Sequence, residues 1–105
     1  MTQEETEIVL NFRAATNMTP DELESWLQTE KSQQVRQPDQ DNSSGKRTIE
    51  LLRKEESEYT SSDFAYMKHA IFFIREKSRE RPSGSIRETS WRYCLMNWGH
   101  DPTKG

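Results

Sequence analysis

The chain has few of the features that build disulfides, membrane spans or secretion signals. Cys94 is the one cysteine among 105 residues, so no internal disulfide can form. No apolar run approaches the ~18 residues of a membrane span or the apolar region of a signal peptide. We therefore expect a protein of a reducing compartment, cytoplasmic or nuclear, that makes no membrane contact.

The sequence also lacks the residue groupings of metal and catalytic sites. His69, His100 and Cys94 stand in no CxxC or HxxxH spacing, and we expect Cys94 to be a small buried thiol. His100 and Asp101 are adjacent, but no serine elbow or glycine-rich phosphate loop lies near them. We predict no catalytic residue, no metal and no cofactor, and expect His100 or Asp101 to hydrogen-bond the chain end to the last helical turn.

Large aliphatic and phenyl side chains are scarce. Leu, Ile, Val and Phe together make up 17 of 105 residues, below the ~20% under which strongly charged chains are disordered. The net charge is only −3, however, and Trp, Tyr and Met add ten further core candidates. The length leaves room for one core. We expect a single helical domain over residues 1–105 whose core depends on aromatic side chains.

Capping signals divide the chain into helices. Three threonine–acid pairs have the spacing of a helix cap: Thr2–Glu5, Thr19–Glu22 and Thr60–Asp63. Two more starts are predicted, one at Ser43 or Ser44 and one at Ser85, paired with Glu88 or Thr89. Apolar residues then recur at intervals of three and four, and no strand pattern or repeat is present. The sequence therefore predicts an all-α fold, a small bundle of about five helices.

A polar segment interrupts the predicted helices between residues 29 and 44. Val35 is its one aliphatic residue, and Pro38, Asp39 and Asn42 favour irregular structure. Such a segment cannot bury enough apolar surface to offset the entropy lost on ordering. We predict a flexible, mobile loop at about residues 32–43.

Residues 89–102 are expected to form the helix that closes the core. Trp91, Leu95 and Trp98 lie at i, i+4 and i+7 and so share one helix face. Each tryptophan can bury roughly 150–250 Å². Gly99 is the natural C′ residue of this helix, and Pro102 prevents its continuation. Arg92 falls on the opposite side, so we expect Arg92→Ala to cost little stability.

The charge is distributed unevenly along the chain. Residues 1–43 carry three Lys or Arg against nine Asp or Glu, whereas residues 44–105 carry twelve against nine. Residues 68–92 alone contain seven basic and three acidic side chains. On the longest predicted helix Lys68, Arg75 and Arg79 fall within about 40° of one another, beside Phe72, at 100° per residue.

These basic residues are the best candidate binding site in the sequence. The candidate nucleic-acid contacts are Lys46, Arg47, Lys68, Arg75, Arg79, Arg81, Arg87 and Arg92. Arginine suits this role because its guanidinium group can bind a phosphate bidentately. The alternative is an ordinary solvated helix face whose charges are partly neutralised by neighbouring acids such as Glu76.

A family resemblance rests on four stretches: TPDELESWL, SGKRTIELLRK, DFAYMKHAIFFIREKSRERPSG and WRYCLMNWGHDP. They resemble a bacterial and fungal family of unknown function, domain-of-unknown-function family 3140, whose members are often labelled "DNA-binding protein". The resemblance covers residues 17–104 and implies no catalytic residues. This chain departs from the family in its central loop, which lacks a glycine-rich, histidine-containing stretch. The pair PDELESWL and RTIELLRK is also similar to SAP-type DNA-binding motifs, with a longer loop between them.

Two functions from different classes follow from these observations. The first is a small non-enzymatic protein, DNA-binding or associated with chromatin or the nucleoid, that binds DNA weakly and without sequence specificity through the basic residues. The alternative is a protein-interaction module that contacts a protein partner with its acidic N-terminal half. An enzyme ranks third, because the sequence assembles no site for one.

Overall fold

A computed structural model describes residues 1–35 and 43–104, and the regular structure in these ranges is helical. The elements are α1 (Gln3–Ala15), α2 (Pro20–Leu27), α3 (Glu30–Gln34), α4 (Ser43–Arg53), a 3₁₀ turn (Glu56–Glu58), α5 (Ser61–Ser78) and α6 (Ser90–Met96). The predicted all-α bundle is confirmed. Five of the helices have seven or more residues and match the five predicted ones, whereas α3 was not predicted.

Local capping sets where the helices begin. At α1, α2 and α5 a threonine hydroxyl accepts the N–H three residues on, and an acidic side chain at that position accepts the threonine N–H. For α6, Thr89 is the N-cap and accepts the N–H of Arg92, so Ser85 does not start this helix. The helix also ends earlier than expected, at Met96, which leaves Trp98 in the turn that follows.

The core consists of two adjoining clusters of buried side chains. The larger joins α1, α4, α5 and α6 and contains Val9, Phe12, Leu51, Met67, Ala70, Ile71, Ile74, Ile86, Trp91, Leu95 and Trp98. The smaller contains Met18, Leu23, Leu27 and Met96, between α2 and α6. Since Met96 belongs to one cluster and Leu95 and Trp98 to the other, the end of α6 joins the two.

Trp98 lies at the centre of an aromatic group although it stands outside α6. Its ring stacks on Phe73 with centroids 4.5 Å apart and on Tyr66 with centroids 6.1 Å apart. His69 packs against it at 5.5 Å. With 9% of its surface exposed, Trp98 is a core residue, as the sequence predicted.

The chain reverses at Gly99. The N–H of His100 donates to the carbonyl of Leu95 and that of Gly99 to the carbonyl of Met96, the hydrogen-bond pattern of a Schellman motif. Gly99 has φ +97°, a conformation in which glycine carries no steric penalty. The predicted C′ glycine is therefore confirmed.

The segment after Gly99 binds the connection between α1 and α2. His100 Nδ1 lies 2.7 Å from the carbonyl oxygen of Ala15, and the N–H of Met18 donates to the carbonyl of Gly99. The side chain of Asn17 donates to the carbonyl of Asp101 and accepts its N–H. The expected hydrogen bonds from His100 and Asp101 are present, and they attach this segment to the end of α1 as well as to α6.

The predicted loop is wrong at its start, because residues 30–34 form α3. Thr29 caps this helix, and Ser32, which is buried, donates its hydroxyl to the side chain of Asn97. Asn97 also accepts the indole N–H of Trp26 and donates to the carbonyl of Ser32. The segment is held by hydrogen bonds to Asn97. A count of the aliphatic residues in the segment could not predict these bonds. The rest of the predicted loop, residues 36–42, lies outside the described residues.

Within the two described ranges, none of the helices has the length and apolar character needed to cross a membrane.

Candidate nucleic-acid interface

The eight candidate basic residues occupy different environments, and two of them are half-buried and pair with buried carboxylates. Arg47 is one of these: its Nη2 lies 2.7 Å from Oδ1 of the buried Asp63, and its guanidinium group lies over the ring of Tyr66. Lys54 Nζ binds the other oxygen of Asp63 at 2.8 Å. Arg47 therefore pairs with a buried carboxylate at the start of α5, a partner that the sequence did not predict.

Asp63 stays charged despite its burial. Burial raises the pKa of its carboxyl group, but hydrogen bonds from Lys54 and from the N–H of Thr60 outweigh this effect and lower the pKa below its usual range. The charge on Asp63 thus serves two purposes, capping α5 and binding α4.

Arg92 is the second half-buried residue that pairs with a buried carboxylate. Its Nε and Nη2 donate to the two oxygens of Asp101, each at 3.1 Å, and its Nη1 donates to the carbonyl of Arg87 at 2.8 Å. Burial raises the pKa of Asp101, yet the bonds from Arg92 and Thr103 lower it to about 2. Arg92 thus bridges α6 and Asp101, an ion pair that the sequence did not predict.

Three residues of α5 and its C-cap residue form what we term the basic face: Lys68, Phe72, Arg75 and Arg79. All four are exposed, as the helical spacing predicted. Lys68 lies 3.6 Å from Glu4 and Arg79 lies 3.3 Å from Glu76. These pairs are exposed, and such pairs contribute only ~0–1 kcal/mol, so both cations can exchange their acidic neighbour for a stronger anion.

A cleft of about 440 Å³ continues the basic face between α1, α5 and the chain end. It is lined by Asn11, Ala14, Ala15, Ile74, Arg75, Ser78, Arg79 and His100. His100 carries a proton on Nδ1, since that atom contacts the carbonyl oxygen of Ala15 and a carbonyl only accepts. The cleft brings two arginines and the amide of Asn11 to one concave surface, a set of donors suited to a phosphate oxygen.

The other three candidates lie away from this cleft. Arg81 is exposed, and its guanidinium group lies 5.8 Å from the ring centroid of Trp91. Arg87 is exposed and lines a second cleft that also includes Trp26 and Tyr93. Lys46 lies at the surface between α2 and α4, in a hollow of about 340 Å³ lined also by Glu24 and Arg53. Lys46 is therefore not part of the basic face.

The contribution of α1 to the site was not predicted. Asn11 and His100 line the same cleft as Arg75, although they are far apart in sequence. No spacing rule relates positions on separate elements, so no sequence signal could have found this grouping. The exposure of Phe72, by contrast, follows directly from the helical periodicity.

Neither a metal centre nor a reactive thiol is assembled in the described parts of the chain. They contain no cluster of three or more His, Cys, Asp or Glu side chains suited to a metal ion. Cys94 is half-buried, and burial raises the pKa of its thiol, which favours the unreactive protonated form.

The fold and site define a small all-helical protein with an exposed basic face on its longest helix. The chain belongs to the family described as "Protein of unknown function (DUF3140)", whose model matches residues 11–96. The family resemblance seen in the sequence is thereby confirmed. No curated protein and no solved structure matches the chain.

Proposed function

We propose that this is a small non-enzymatic DNA-binding protein that contacts the phosphate backbone through the basic face. One observation carries the proposal: Lys68, Arg75 and Arg79 project from one exposed side of α5, next to a cleft lined by hydrogen-bond donors. Arg47 and Arg92, which neutralise buried carboxylates, are excluded from the contacts.

The expected binding is weak and independent of sequence. Contacts from arginine and lysine to phosphates position a protein on DNA without reading its bases. With about three phosphates neutralised, the logarithm of the association constant should fall with the logarithm of salt concentration at a slope of about −2.7. The net charge of −3 limits long-range attraction, so binding should be measurable only at low salt.

A fluorescence anisotropy titration of labelled duplex DNA tests the proposal. Replacing Arg75 and Arg79 by Gln should weaken binding. It should also make the slope of the salt dependence shallower by the contribution of about two phosphate contacts. The matched control replaces Lys46 and Arg53 by Gln, the same loss of charge on the α2–α4 side, and should bind more tightly than the Arg75 and Arg79 variant. Absence of binding to both duplex and single-stranded DNA at micromolar protein and low salt would contradict the proposal.

The second candidate is a protein-interaction module that uses the acidic N-terminal half. Leu10 favours it, since 62% of this apolar side chain is exposed on α1, which carries Glu4, Glu5 and Glu7. An exposed leucine beside acidic residues suits a basic, amphipathic partner segment. A Leu10→Glu variant that loses a partner captured by the unaltered protein, while binding of DNA is unchanged, would favour this candidate.

A further inference from the structure

The ring of Phe72 lies in the middle of the basic face and is not part of either core cluster. Phe72 is 63% exposed, and the other large apolar side chains exposed among the described residues are Met1 and Leu10. Lys68 precedes Phe72 by four positions and Arg75 follows it by three, spacings that place both cations next to it on the helix surface.

The position of Phe72 in α5 directs it away from the core. Ile71 is buried and the ring of Phe73 stacks on Trp98, whereas Phe72 points outward because each residue turns the helix by 100°. Most of the apolar surface of Phe72 stays in water in both the folded and the unfolded state, so folding gains little from this ring. The stability of this helix therefore gives little reason for a phenylalanine here.

We infer that the nucleic acid bound by the basic face is single-stranded, with one unpaired base stacked on Phe72 and the flanking phosphates bound by Lys68 and Arg75. The inference rests on the proposed function and narrows its ligand. An aromatic ring between cations is the arrangement by which single strands are bound, because stacking on the ring adds to phosphate contacts. In a duplex each base already stacks on its neighbours, so only an unpaired base can lie on the ring.

An acidic peptide with an apolar side chain is the rival ligand, since it too would combine an apolar contact with charge pairing. The cleft at the end of the basic face favours the nucleic acid. Arg75 and Arg79 line it together with Asn11, so a chain leaving Phe72 towards the end of α5 meets further donors for phosphate oxygens.

Anisotropy titrations with four labelled probes test the inference: a 20-nucleotide oligo-dT, an abasic strand of equal length and charge, a 20-base-pair duplex and an acidic, leucine-containing peptide. The oligo-dT should bind about tenfold more tightly than the abasic strand, a factor within the range of one stacked base. Phe72→Ala should remove that preference and leave binding of the abasic strand unchanged. Phe72→Trp should retain the preference.

Leu10→Ala is the matched control, because it removes an equally exposed apolar side chain from α1, and it should change none of the affinities. Equal affinity of the unaltered protein for oligo-dT and the abasic strand would overturn the inference, as would a peptide that binds more tightly than oligo-dT in a Phe72-dependent way. If the duplex still binds through Arg75 and Arg79, the proposed function stands although the stacking is wrong. If no nucleic acid binds at micromolar protein and low salt, both fail.

Discussion

Arg92 and Asp101 form a two-point ion pair that fastens the end of the chain to α6. Arg92 Nε lies 3.1 Å from Oδ1 of Asp101, and Nη2 lies 3.1 Å from Oδ2. Asn17 hydrogen-bonds the backbone of Asp101, so the pair connects α6 with the α1–α2 connection through one residue. Arg92 therefore contributes contacts that hold the fold together.

Arg92→Ala should lower the free energy of unfolding by about 2–4 kcal/mol, because it leaves the mostly buried Asp101 carboxylate without its partner. Urea denaturation monitored by circular dichroism measures this loss. Arg87→Ala is the control, since that exposed side chain should change stability by less than about 0.5 kcal/mol. Equal stability of the two variants would show that the ion pair contributes nothing measurable.

Stability should decline in acid as Asp101 becomes protonated. Its pKa in the folded protein is about 2, below the ~3.9 of an unfolded aspartate, so its stabilisation is complete above about pH 5 and is lost as pH falls towards 2. Unaltered protein should exceed Asp101→Asn by about 2–3 kcal/mol at pH 6. The difference should shrink towards zero as pH approaches 2, because Asp101 becomes protonated there. Asp63 titrates alike in both proteins and so does not contribute to the difference. A pH-independent difference would contradict the assignment.

The parts of the fold that were predictable depend on residues close together in sequence. The capping boxes at Thr19 and Thr60 are formed by side chains three positions apart, and Gly99 ends its helix through bonds within five positions. Periodicity likewise predicts which side chains of α5 are buried and which are exposed, so most of the basic face could be found from sequence.

The parts that were missed depend on pairs of residues far apart. Ser32 and Asn97 are separated by 65 positions, yet their hydrogen bonds convert a polar segment into α3. Arg47 and Asp63 are 16 positions apart, and their pairing removes one cation from the surface. Composition gives the number of charges in a segment, but only the tertiary structure decides which of them are already neutralised.

Asn97→Ala should destabilise the protein by about 2–4 kcal/mol, because it leaves the indole N–H of Trp26 and the buried Ser32 without their partner. Trypsin cleavage after Lys31, in α3, should become faster, since the helix loses its main attachment to α6. Gln33→Ala alters an exposed side chain of the same helix and serves as the control. Unchanged cleavage at Lys31 in the Asn97 variant would mean that other contacts hold α3.

Trp98→Ala should cost about 3–5 kcal/mol, the usual loss for a large aromatic residue removed from a core. The rings of Tyr66 and Phe73 stack on the Trp98 ring and cannot fill the volume that it leaves. Phe72→Ala, which removes an exposed ring from the same helix as Phe73, should leave the melting temperature nearly unchanged. If Trp98→Ala also melts like the unaltered protein, Trp98 does not pack as described.

Two glycines with positive φ allow the cost of backbone strain to be distinguished from the cost of overpacking. Gly84 has φ +81° and Gly99 has φ +97°, so alanine is strained at both positions. A Cβ atom at Gly84 would meet nothing within 4 Å, whereas one at Gly99 would lie 3.0 Å from Cγ2 of Thr48 and 3.4 Å from Cδ2 of Leu23. Gly84→Ala should therefore cost about 1–2 kcal/mol, the penalty for a left-handed conformation alone.

Gly99→Ala should cost more, about 2–5 kcal/mol, because overpacking adds ~1–3 kcal/mol to the strain. The difference between the two free energies of unfolding, measured under identical conditions, estimates how tightly the chain reversal packs on α2 and α4. Equal costs would mean that Thr48 and Leu23 move aside easily. A larger cost at Gly99 would show that glycine is required there for two reasons, the positive φ of the turn and the close approach of the helices.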